Sequence, residues 1–181
     1  MPVATPALMT LSSEQSIPNQ PVDLTSAAEK ACNEYLGTTT STFVTNATAG
    51  FEIAYKYANL KAGDEVIVPA PYWVSYPEMV KMADGTPVII PAGIEQDLKI
   101  TPAQLEAAIT PKTKAILLNS PCNPTGTVFS QASLDAVKQA ILGKPIFLIC
   151  DNVYHALSYI PCPDLSLDPQ LKAQTILCQS F

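Results

Sequence analysis

An aspartate closes one of the most apolar runs in the chain: Pro145-Ile-Phe-Leu-Ile-Cys150 reads as a buried strand, and Asp151 follows it directly. A carboxylate there must be paired or hydrated, because stranding it in an apolar setting is costly. It is either a turn or helix-capping residue or the partner of a protonated nitrogen. A second polar stretch, Asn119-Ser-Pro-Cys-Asn-Pro-Thr-Gly126, follows the apolar run Ala115-Ile-Leu-Leu118 and places Asn123 in a loop beyond a strand. Pro, Gly and Asn punctuate turns, but an open α/β sheet also keeps its ligand outside the carboxyl ends of its strands. Two aromatic residues recur in the same setting. Trp73, the only tryptophan, leaves the run Gly63-Asp-Glu-Val-Ile-Val-Pro69 through Ala70-Pro-Tyr, and Tyr154 stands three residues after Asp151. Trp73 is either a core residue or a flat face for a heteroaromatic ring. Tyr154 could equally be a core tyrosine with a satisfied hydroxyl. Finally, Asn46-Ala-Thr-Ala-Gly50 opens a helix with small residues. Ala47, Thr48 and Ala49 could present free N–H groups to a phosphate, or Asn46 or Thr48 could simply cap the helix.

The elements that must position these residues alternate in type. Strands are expected at Phe43–Thr45, within 63–69, and at Thr86–Ile90, Ala115–Leu118, Pro145–Cys150 and Thr175–Cys178. The first, third and last are short. Helices are expected from Asp23 to Leu36, from Asn46 to about Leu60, and from Val74 to Met82, the last with Val74, Pro77, Met79 and Met82 available for packing. Another starts at Thr101, where Thr101, Pro102 and Gln104 make a capping box with proline at the first helical position. The next is capped by Ser130, carries Leu134, Val137 and Ile141 on one stripe and stops at Gly143. Pro161 to Asp168 reads as a loop. Strands alternating with amphipathic helices predict a three-layer α/β/α fold around a mostly parallel sheet. Its strand ends would gather the polar residues on one edge.

Composition narrows the function. In 181 residues, 48% are hydrophobic and 14% charged, enough apolar material to bury a core. A net charge of −6 without a basic cluster argues against nucleic acid or an anionic membrane surface as partner. No apolar run approaches the ~20 residues of a membrane span, and the sequence reads as cytoplasmic. Met1 to Val22, rich in Pro, Ser, Thr and Gln, reads as a mobile arm, with a single domain from residue 23 to 181. The cysteines, Cys32, Cys122, Cys150, Cys162 and Cys178, are odd in number and lack the close pairing of a zinc site. Cys150 and Cys178 read as core thiols, and the lone histidine, His155, as a supporting or surface residue. All ten basic residues are lysines, so the chain has no arginine.

Three motifs in order, Pro71-Tyr-Trp73, Asn119-Ser-Pro-Cys-Asn-Pro-Thr-Gly126 and Asp151-Asn-Val-Tyr154, together resemble the class I/II aminotransferases, pyridoxal-phosphate enzymes of the aspartate aminotransferase fold type. The resemblance runs from about Thr42 to Phe181. It implies transfer of an amino group between an aspartate-like amino acid and a 2-oxo acid in a homodimer. By position it assigns Asp151 to the pyridine nitrogen, Asn123 and Tyr154 to the phenolic oxygen, Trp73 to the ring face, and Ala47, Thr48, Ala49 and Ser180 to the phosphate. Many members have glycine where this chain has Ala47-Thr-Ala49. The family's Schiff-base lysine follows Ser-x-x-Lys, which Ser180-Phe181 begins, so that lysine is expected beyond Phe181 and none of the ten present matches it. The arginines of the family likewise lie downstream, and its amino-terminal segment has no match here. The chain thus resembles a large-domain fragment or the product of a truncated reading frame, and the resemblance places a later antiparallel strand between the first strand and the last, without which edges stay unpaired. A β/γ-lyase of the same fold, or a non-catalytic cofactor-binding remnant, is an alternative from the same residues.

Overall fold

The computed structural model describes residues 24–36, 38 and 40–179. The stretch read as an arm, 1–22, lies outside them, as do Ser180 and Phe181. The chain divides into two compact units, Met1–Phe43 and Val44–Phe181. In the first, helix α1 (Leu24–Leu36) precedes a segment tied back to it: the Thr38 and Ser41 hydroxyls both donate to the Asn33 Oδ1, at 3.0 and 2.6 Å.

The second unit is built on five parallel strands: β1 (Glu65–Pro69), β2 (Thr86–Ile90), β3 (Thr113–Asn119), β4 (Phe147–Asp151) and β5 (Thr175–Cys178), in the order β2-β1-β3-β4-β5. Four helices flank them: α2 (Ala47–Tyr57), α3 (Ser75–Met82), α4 (Pro102–Ala108) and α5 (Gln131–Ile141). Alternation along each strand divides the core. Val66, Val68, Ala115, Leu117 and Ile149 point to α2 and α3, while Ile67, Ile116, Leu118, Leu148 and Cys150 point to α4 and α5. Because successive side chains of a strand face opposite sides, β1, β3 and β4 must be apolar throughout, which is why they read as unbroken hydrophobic runs.

The expected cap signals operate as chemistry requires. The Thr101 Oγ1 accepts from the Gln104 N–H at 3.2 Å, and the Gln104 Oε1 accepts from the Thr101 N–H at 2.9 Å, closing the capping box of α4. Ser130 caps α5 through the Ser133 N–H at 3.2 Å, and Gly143 beyond its end takes φ +76°, a conformation that favours glycine.

Three expectations need correction. Phe43–Thr45 is not a strand. A strand needs a ladder partner, no described strand pairs with this segment, and the Phe43 N–H donates instead to the Glu29 Oε1 at 3.4 Å. In α3 the buried residues are Tyr76, Pro77, Met79 and Val80, whereas Val74 and Met82 are 77% and 76% exposed. Val74 precedes the helix, and the inward stripe is 76, 79 and 80, at the three- and four-residue spacing that shares a face. The 161–168 loop contains a 3₁₀ turn, Leu165–Leu167, begun by the Asp164 Oδ1 accepting from the Ser166 N–H at 2.8 Å. All five cysteines are free thiols; Cys150 is buried, and Cys178 is half-buried against the α2/α3 core.

Candidate active site at the sheet's switch point

From β1 the chain moves outward to β2 and then returns across β1 to β3, so the winding reverses between β1 and β3. Crossovers leave such a point in opposite directions and open a crevice at the carboxyl ends of the two strands. A small cleft lies there, walled by the β1 exit (Pro69 to Tyr72), by Asn119 and Cys122 after β3, and by Tyr76 of α3.

Asp151 is the last residue of β4, in register with Asn119 on one side and Cys178 on the other. The residue is only 6% exposed. The Tyr76 hydroxyl donates to its Oδ2 at 2.6 Å, and the Val153 N–H to its Oδ1 at 3.2 Å. Burial raises its pKa above the ordinary carboxylate range, and these two donors pull the other way. A carboxylate can accept about four hydrogen bonds, so the two donors leave acceptor capacity for a ligand.

The loop after β3 is fixed by Asn119, itself 7% exposed. Its Nδ2 donates to the Asp151 main-chain oxygen at 2.9 Å, and its Oδ1 accepts from the Asn123 N–H at 2.6 Å. Asn123 is half-buried, and its Nδ2 donates to the Tyr154 Oη at 3.4 Å, so two polar groups sit side by side. Inside the loop the Gly126 N–H donates to the Cys122 oxygen at 2.7 Å and the Cys122 N–H to the Thr127 oxygen at 2.9 Å, with Gly126 at φ +70°. The bonds Ala70–Pro71, Ser120–Pro121 and Asn123–Pro124 are cis.

Trp73 lies before α3, half-buried, its ring edge-on to that of Tyr76 with centroids 5.5 Å apart and planes at 88°. Tyr76 therefore stands between Trp73 and Asp151. The small-residue turn is set farther along. Asn46 caps α2 by accepting from the Ala49 N–H at 3.0 Å, leaving Ala47 and Thr48 exposed on the first turn, where N–H groups lack intrahelical acceptors. This turn reaches the rest through Phe51, one turn on, which meets the Tyr76 ring edge-on at 5.4 Å. Ser180 lies outside the described residues. His155 turns away, its Nε2 hydrogen-bonded to the Cys162 oxygen at 2.9 Å.

Two residues without a role in the sequence reading prove central. Asn119 had a signal, a polar residue ending an otherwise apolar strand. Tyr76 had a weaker one, an aromatic residue one helical turn after Trp73. The structure links Trp73 to Asp151 through Tyr76, and Asn123 to Tyr154 and to the Asn119 side chain.

A five-stranded parallel sheet flanked by helices, with its winding reversed between β1 and β3, defines an α/β fold of the doubly wound kind. The chain belongs to the aminotransferase class I and II family, to which residues 4–181 match. It is 48% identical over 122 residues to an aspartate aminotransferase of Geobacillus stearothermophilus, covering 65% of this chain and 31% of that protein. To an aspartate/prephenate aminotransferase of Cereibacter sphaeroides it is 45% identical over 141 residues, covering 75% and 35%. Its fold superposes on the crystal structure of the Rhizobium meliloti aspartate aminotransferase with a TM-score of 0.71 at 34% identity, over 84% of this chain and 40% of that one. The chain thus spans about a third of the length of the curated relatives it matches. Among the described residues no helix is long and apolar enough to cross a membrane.

Proposed function

We propose that the protein carrying this chain is a pyridoxal-phosphate-dependent aminotransferase acting on an aspartate-like amino acid and a 2-oxo acid, and that this chain supplies the cofactor-binding half of its site. The observation that carries the reading is Asp151: a buried carboxylate at the end of a parallel strand, held by two donors and with acceptor capacity left. The donor set fits the group. Asp151 would hold the proton on the ring nitrogen, and Asn123 with Tyr154, 3.4 Å apart, would both donate toward the phenolic oxygen. Trp73 would cover the ring, and Ala47, Thr48, Ala49 and Ser180 would hold the phosphate at the positive end of α2. Bound there, pyridoxal phosphate supplies an electron sink for the charge released when an amino acid loses its α-proton. A buried anion beside the ring nitrogen keeps that nitrogen charged more effectively than an exposed one, because screening by water is weak there.

The names of the relatives favour aspartate as the amino donor. A cytoplasmic homodimer is the assembly we propose. The assay that tests the function supplies aspartate and 2-oxoglutarate to the product of the full reading frame and follows glutamate. Formation of glutamate with retention of the carbon skeleton of aspartate supports transamination. Release of ammonia and a keto acid from cystathionine, without amino transfer, would instead indicate a lyase.

A further inference from the structure

We propose that Tyr76 is the positioning residue for Asp151, its hydroxyl fixing the carboxylate at the sheet edge while its ring sets the position of Trp73. The inference deepens the proposed function and rests on it. Tyr76 is 1% exposed and donates to the Asp151 Oδ2 at 2.6 Å, a charge-assisted bond in a buried setting. Its ring is held on two sides, edge-on to Phe51 at 5.4 Å and to Trp73 at 5.5 Å. In addition, the Tyr76 N–H donates to the Trp73 main-chain oxygen at 3.0 Å. One residue thereby links the carboxylate to the aromatic cover, which do not hydrogen-bond one another. A core role alone does not explain the hydroxyl, since phenylalanine would fill the same space beside Met79 and Val80.

The charge environment makes this donor matter. Among the described residues, the titratable groups that act on the pair are Cys178 on β5, Cys150 beside Asp151 on β4, and Cys122 in the loop near Tyr76; none of these is a cation. Burial pushes the Cys178 thiol up to about 12, with Asp151 adding to the shift, so it stays neutral. Burial and Asp151 likewise push the Tyr76 phenol far above its usual range, so it remains a donor throughout the working pH range. Among the described residues, the Tyr76 hydroxyl and the Val153 N–H are the donors that stabilise the Asp151 anion.

The test compares the full-length protein with its Tyr76→Phe variant and with a form carrying 3,5-difluorotyrosine at position 76, a stronger donor of similar shape. The Asp151 carboxyl is followed by carbon NMR in the cofactor-free protein, assigned by its loss in Asp151→Asn, and pyridoxal 5′-phosphate affinity is measured against pH. Tyr76→Phe should move the Asp151 midpoint to higher pH, and difluorotyrosine should move it lower. Removing the charge-assisted bond should weaken cofactor binding by roughly tenfold near neutral pH, with the acid limb of the affinity profile shifted upward. Unmoved midpoints, or an affinity loss of equal size at every pH, would overturn the proposal. Should the parent fail to bind the cofactor, the proposed function fails, and the NMR midpoints alone still decide whether Tyr76 controls Asp151.

Discussion

Asp151 illustrates a conflict between stability and binding. Its pKa is raised by burial, so in the cofactor-free protein its anion is less favourable folded than unfolded. The sign follows: the folded state binds the proton more tightly, so the stability this carries is present at acid pH and is lost as pH rises through the raised folded value. Asp151→Asn should therefore raise the thermal midpoint of the cofactor-free protein at pH 7, by up to about 1 kcal/mol in stability, with the gain disappearing toward acid pH; scanning calorimetry at several pH values checks it. Asn119 should behave in the opposite way. Asn119→Ala removes both the donor to Asp151 and the acceptor for Asn123, leaving buried backbone groups unpaired. A loss of about 2 to 3 kcal/mol in urea denaturation is expected. At this scale the sequence revealed the chemistry-bearing types, because a carboxylate closing an apolar run is conspicuous. Tyr76 escaped it because a buried tyrosine in an amphipathic helix is ordinary until its hydroxyl is seen to meet Asp151.

Elements were legible where local chemistry decides them. The capping box of α4 and the cap of α5 form as their residues require, and Thr101→Ala should cost about 1 kcal/mol of stability while leaving pyridoxal phosphate affinity unchanged, since α4 lies against the opposite face of the sheet from α2 and α3. Equal loss of stability and affinity would show that the two faces are not independent. Phe43–Thr45 was misread because strand formation depends on a neighbour, which no window of sequence contains. In α3 the apolar types indicate packing for Pro77 and Met79, which are buried, but not the exposure of Val74 and Met82, because the inward stripe is set by Tyr76, Met79 and Val80, which share a face.

For the whole molecule, strand order was the least legible property, since local patterns imply alternating strands and helices but not that the chain returns across β1 to make β3. The site depends on that return, which brings the Asn119 loop beside the β1 exit. The same order leaves the outer edge of β5 without a strand among the described residues. An open apolar edge is a template for pairing, so residues 1–181 expressed alone should self-associate at micromolar concentration in light scattering, where a stable monomer would contradict the expectation. The most direct test of the central claim is titration of the cofactor-free, full-length protein with pyridoxal 5′-phosphate, comparing parent with Asp151→Ala. The account predicts saturation at one cofactor per chain in the parent and affinity weakened roughly a hundredfold in the variant, whose ring nitrogen loses its buried anion. Equal affinity of the two proteins, or no saturable binding by the parent, would contradict it.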